Sequence, residues 1–194
     1  MLPALAPLAA RARVELLRAD QDRTADLLRD GSVMGAVTSE AAPVQGCTSR
    51  PLGTMRYHPV ASPAFIERWF TGGVTREALG RAPVVVFDDA DALQHAALRD
   101  RGVTATPPHH VVPASTQFAD AVALSYGWGM LPEHQIREHG ASLVRLDRSG
   151  RWRADVALHW QQWGLRTPTL DAAADLLRAA AAEALRRTPA EPRT

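Results

Sequence analysis

Side chains able to hold a small zwitterion recur at four points of this chain, each directly after a short apolar run. They are Asp20, Gln21 and Asp22; Thr38, Ser39 and Glu40; Phe87, Asp88 and Asp89; and Ala114, Ser115 and Thr116. Hydroxyls beside a helix N-terminus suit an anion such as a carboxylate, because the first-turn N–H groups have no partner within the helix. Asp or Glu suits an ammonium or guanidinium through charge-assisted hydrogen bonds. In open α/β sheets ligands sit beyond the carboxyl ends of strands, which is where these residues fall. With Trp160, late in the apolar run DVALHW, the candidate contacts are Asp22, Thr38, Ser39, Phe87, Asp88, Ser115, Thr116 and Trp160. Plainer roles compete with each. Ser115, Thr116 and Asp22 are equally suited to helix capping, and Asp88, Asp89 and Asp91 to a helix N-terminus through the macrodipole. Thr38 and Ser39 would serve simply to end a strand, and Trp160 to fill a core.

Bond-breaking chemistry finds less support. All 22 basic residues are arginine, which removes a Schiff-base lysine and a phosphate-loop lysine. The single cysteine, Cys47, excludes an internal disulfide and has no neighbouring histidine in sequence. Glu133, His134, Glu138 and His139 fall in one short helical stretch without an HExxH pattern, so a solvated helix face is expected rather than zinc. His109 and His110 are adjacent on a strand and point to opposite sides. No enzyme, no metal and no cofactor are expected.

These residues require an alternation of short strands and helices to position them. Strand-like runs are read at 13–19, 32–38, 52–61, 83–87, 109–112, 129–131, 142–146 and 155–160. Helices are read at 22–30, 63 to just before Gly72, 75–79, 88–100, 115–124, 132–139 and 170–187. Ser62 is placed as an N-cap with Pro63 at the first helical position. The run 13–38 reads as one βαβ unit with a buried parallel second strand. Gly127 and Gly129 are expected to supply a tight turn with positive φ. The pattern belongs to the α/β class with open, mostly parallel sheets. Extended segments 52–61 and 147–154 divide it into lobe one (1–54 plus 155–187), lobe two (55–154) and a tail (188–194).

At 194 residues, 46% hydrophobic and a formal net charge of +1, the chain suffices for one large core or two small lobes, and its charge balance makes no case for nucleic-acid binding. MLPALAPLAARAR carries its arginines after the apolar run, the reverse of an export signal. No stretch approaches the ~20 apolar residues of a membrane span. A cytoplasmic protein is expected.

Four stretches in order, LLRDGSVMGAVTSE, LGTMRYHPVASPAF, APVVVFDDADALQHAAL and ALSYGWGMLPEHQI, resemble the effector domain of LysR-type transcription regulators. RYHPVASPAFIERWFTGGVTREALGRAPVVVFD and LHWQQWG are similar to the ArgP/LysG branch, which responds to arginine and lysine. The resemblance spans about residues 2 to 187. It implies a type 2 periplasmic-binding-protein-like fold, two α/β lobes with a cleft between them, here with the first strand of lobe one missing. It further implies a basic amino acid (lysine, arginine or histidine) as effector, control of an amino-acid exporter gene and a homodimer. DNA would be bound only through an N-terminal helix-turn-helix domain that this sequence lacks, so a truncated or misassigned gene start is expected. A solute-binding protein of a transporter, with the same fold, is the alternative.

Overall fold

The computed structural model describes residues 2–17, 21–88, 91–165 and 167–187. The chain divides into two units, Met1–Met55 with Val156–Thr194, and Arg56–Asp155.

The first unit contains helices α1 (Leu2–Ala9), α2 (Gln21–Arg29) and α8 (Pro168–Ala184), strand β1 (Gly35–Thr38), and most of β7 (Ala154–Trp163). The first nine residues of β2 (Cys47–Ala61) also belong to it. Thr167 caps α8 by accepting from the Leu170 amide at 3.2 Å, and Pro168 stands at the start of the helix, where its missing N–H costs nothing. The buried stripe Leu170, Ala173, Ala174 and Leu177 packs with Leu5 of α1 and with Trp160. β1 runs antiparallel to β7, pairing Gly35 with Gln162 and Thr38 with His159. The parallel βαβ unit read from residues 13–38 is therefore not formed. Residues 13–17 take no regular secondary structure, and β1 is half-buried. Strand polarity depends on where the chain returns, and the return comes more than a hundred residues later.

The second unit holds the rest of β2, then α3 (Pro63–Trp69), α4 (Arg76–Leu79), β3 (Val84–Val86), α5 (Ala92–Asp100) and β4 (His109–Val111). After these come α6 (Ser115–Ala123), β5 (Gly129–Pro132), α7 (Glu133–His139) and β6 (Val144–Arg145). β5 and β6 both pair antiparallel with β2, whereas β3 and β4 pair in parallel. The three valines of β3 are all buried because both faces of the strand are covered. Val84 and Val86 face a core with Phe65, Leu79, Leu98, Trp128 and Trp152, while Val85 faces another with Phe118, Val122 and Leu131. The period of two along a strand makes that division.

Ser62 caps α3, accepting from the Phe65 amide at 3.1 Å, with Pro63 at the first position. Gly127 and Gly129 do not take the positive φ expected of them; Ser125 does, at φ 69°. Their requirement is space. A Cβ on Gly127 would lie 2.9 Å from the Pro83 carbonyl oxygen, and one on Gly129 2.9 Å from the Phe118 ring. No helix among the described residues is long and apolar enough to cross a membrane.

Candidate functional site

In the first unit, β1 ends at Thr38 and delivers Thr38 and Ser39 into a loop. The Thr38 hydroxyl accepts from the Glu40 amide at 3.1 Å, which leaves its own proton to donate. Ser39 is exposed. The loop that follows is fastened from outside by Gln161 of β7, which is 1% exposed. Its amide nitrogen donates to the Glu40 and Ala42 carbonyls, both at 2.9 Å, and its carbonyl accepts from the Val44 amide at 3.0 Å. One buried side chain thus satisfies three backbone groups that the turn leaves without strand or helix partners. Sequence reading missed Gln161. A signal existed, since adjacent amides inside the run LHWQQWG must find partners if the strand is buried.

Trp160, its neighbour, lies in the apolar cluster with α1 and α8. Its indole N–H donates to the Gln162 side chain at 2.6 Å. The ring occupies the space a side chain at Gly35 would need, for a Cβ there would come within 2.4 Å of it. Packing accounts for most of its surface, which is 8% exposed. Asp22 falls in the first turn of α2, where an acidic residue suits the helix dipole. Its side chain and all of Asp20 lie outside the described residues.

In the second unit, the parallel pair β3 and β4 carries two chain segments out at the same, carboxyl end. After β3 come Phe87 and Asp88, both half-buried. Asp91 organises this turn: one carboxylate oxygen accepts from the Phe87 amide at 2.8 Å and the other from the Leu93 amide at 3.1 Å, capping α5. Of Asp88, Asp89 and Asp91, read as suiting a helix N-terminus through the macrodipole, Asp91 is the N-cap of α5; Asp89 lies outside the described residues. Phe87 is anchored against Phe118 of α6, ring centroids 6.4 Å apart and planes inclined by 30°.

After β4 the Val112 amide donates to the Val86 carbonyl at 2.9 Å, extending the parallel ladder by one bond. The chain then enters α6. Its N-cap is Ala114, with no side-chain cap bond. Ser115 and Thr116 are the first helical residues, and both are exposed. The capping role open to them is therefore not taken up, and α6 offers uncapped first-turn N–H groups beside two hydroxyls. Gln135 of α7 steadies this end by donating to the Ser115 carbonyl at 3.1 Å.

Burial pushes the Cys47 thiol above its ordinary value, away from the reactive thiolate. Among the described residues no three His, Cys, Asp or Glu side chains are grouped to hold a metal. His134 and Glu138 are exposed on α7, but Glu133 turns inward to the buried His58 at 3.1 Å.

Comparison with known proteins gives this arrangement a context. The family model for the LysR substrate binding domain matches residues 1–182. The HTH-type transcriptional regulator LysG of Mycobacterium tuberculosis is 42% identical over 165 residues, 84% of this chain and 54% of that protein. The chain thus spans about half the length of the curated relatives it matches. The C-terminal domains of a LysR family protein from Agrobacterium tumefaciens superpose with a TM-score of 0.89 at 35% identity, over 96% of this chain and 92% of that one. Full-length LysG from Corynebacterium glutamicum with bound effector Arg gives 0.84 at 33% identity, over 95% of this chain and 64% of that one.

Proposed function

The chain belongs to the LysR substrate-binding-domain family, and from that premise we propose that it senses a basic amino acid on behalf of a transcription regulator. The fold is that of LysR effector domains, the type 2 periplasmic-binding-protein-like class. The observation carrying the proposal is the likeness to LysG with bound effector Arg, at one third identity over nearly the whole chain. The second unit supplies chemistry to match. The N-terminus of α6, with Ser115 and Thr116, suits an α-carboxylate, and Asp88 suits a cationic side chain. In the first unit Thr38 and Ser39 offer hydroxyl donors, Asp22 a carboxylate and Trp160 an indole edge. In the second unit Phe87 adds an apolar wall beside Asp88.

The relatives named above are transcription regulators, not enzymes, and they favour the sensor over a transporter's solute-binding protein. We assign DNA reading to the half of the relatives' length that this chain does not span, and pairing of two copies to this domain. Effector binding acts by shifting a conformational equilibrium, which requires different affinity for its two states.

Calorimetric titration of the folded chain with arginine, lysine and histidine tests the proposal, with citrulline as the uncharged analogue of arginine. Arginine or lysine should bind and citrulline should bind more weakly. Asp88→Asn should weaken arginine by about 10–100-fold, the worth of one charged hydrogen bond, and leave citrulline nearly unchanged. Absence of binding to a demonstrably folded sample overturns the sensing role. Equal weakening of both ligands removes Asp88 from it.

A further inference from the structure

A second polar site lies in the Arg56–Asp155 unit, away from the loops after β3 and β4. The end of α5 and the turn 147–153 enclose a concavity of about 420 Å³ lined by Arg101, Arg151 and Arg153 together with Asp100, Asp147, Ser149 and Trp152. We propose that this concavity binds a small oxyanion, of the phosphate or the carboxylate class.

The argument rests on how the three guanidinium groups are held and on what they lack. Arg101 sits over the face of Trp152, 4.3 Å from the ring centroid, and Trp152 is itself fixed, 6% exposed and packed at 5.6 Å on Trp128. Stacking orients the guanidinium plane without using its N–H donors. Arg153 is anchored through its donation to the Gly150 carbonyl at 3.1 Å, with Asp155 more distant at 3.8 Å. Among the described residues neither Arg101 nor Arg151 has a carboxylate partner. Such planar forks match oxyanions in bidentate fashion.

The wall of the site is built in advance. Asp147 accepts from the Ser149 amide at 2.8 Å, the Ser149 hydroxyl at 2.7 Å and the Trp152 amide at 2.6 Å. These bonds hold its carboxyl down at about 2, the Trp152 amide being the largest cause. Asp147 therefore stays ionised with its oxygens engaged by the turn, and it and Asp100 are the two lining carboxylates. Three guanidinium groups against two carboxylates leave a surplus of one positive charge, and the forks of Arg101 and Arg151 are what an oxyanion would engage. The exposure of these side chains means that added salt must compete.

The test is titration of the full chain with inorganic pyrophosphate and, separately, with citrate, at constant ionic strength, following heat and tryptophan emission. One or both should bind saturably. Arg151→Gln, which removes an exposed side chain without partners, should weaken binding at least about tenfold, and Arg101→Gln likewise, each charged bidentate contact being worth that much. Asp100→Asn should strengthen it. Saturation by pyrophosphate alone identifies the phosphate class, and by citrate alone the carboxylate class. No saturation up to the order of ten millimolar, or binding unchanged in Arg151→Gln, overturns the site. Arginine titration of the same variants is a separate readout, so failure here leaves the sensing proposal standing.

Discussion

The loop after β1 and the turns after β3 and β4 present similar residue types but are built on different principles. In the first unit the loop is held by a side chain 117 to 121 residues away, Gln161, through three hydrogen bonds at a fully buried position. In the second unit the turns are held locally, by Asp91 bonding Phe87 and Leu93 within four residues of itself, and by the parallel pairing of β3 with β4. Distant anchoring makes one loop dependent on the integrity of β7. Local capping lets the other form as soon as its own strand and helix do.

Gln161→Ala should break this comparison hardest. It leaves two carbonyls and one N–H at a buried site without their partner, and each such group costs about 1–3 kcal/mol. Denaturant unfolding should show a loss on that scale, and arginine affinity should fall with it. A loss below about 0.5 kcal/mol, the range of ordinary surface changes, would mean that water or the loop itself replaces the amide. The distant anchor would then be incidental.

Asp91→Ala should cost less, about 1 kcal/mol, because one N-cap is lost at a half-exposed turn. Ser115→Ala should leave stability almost unchanged, since Ala114 and not Ser115 holds the N-cap position of α6. If Ser115 contributes to a carboxylate site, the same variant weakens arginine binding while thermal unfolding stays put. A parallel loss of both would return Ser115 to a structural role.

The contrast also separates what was legible in the sequence from what was not. The Ser62–Pro63 helix start, the apolar run of β3 and the amphipathic α8 follow from local rules, and the structure bears each of them out. The antiparallel course of β1, the lack of a strand at 13–17 and the part played by Gln161 depend on partners far along the chain. No local pattern encodes those. Gly127 and Gly129 fall between the two cases. Their need for a missing side chain was legible, but its cause is the approach of Pro83 and Phe118 and not backbone torsion. At the candidate site, the strand ends that deliver Thr38 and Phe87 were readable from apolar runs, whereas capping by Asp91 in place of its acidic neighbours required the turn geometry.

The smallest expected effect concerns pH, and it belongs to the second unit. Among the described residues both histidines with shifted pKa lie there, and they shift in opposite directions. His58, 3% exposed, is held below its ordinary value chiefly by burial, with Arg145 and Arg56 adding to the shift and Glu133 opposing it. His139 joins α7 to α6 through Asp120 at 3.0 Å and is held above its ordinary value by that bond, with the Gln135 carbonyl assisting. His139 therefore contributes stability that is present below the unfolded value near 6.5 and is lost as pH rises through its raised folded value. His58 does the reverse. As pH falls below about 6.5 the unfolded chain takes a proton that folded His58 resists, so stability declines toward its lowered folded value. The two losses fall on opposite sides of about 6.5, so the Tm of the intact protein should peak near there and decline both on acidification and as pH rises. His139→Gln removes the decline above about 6.5, on the order of 1–2 °C in Tm, and should leave only the fall on acidification that His58 causes. An unchanged profile in that variant would show that the Asp120 contact is solvent-screened and contributes nothing to joining the two helices.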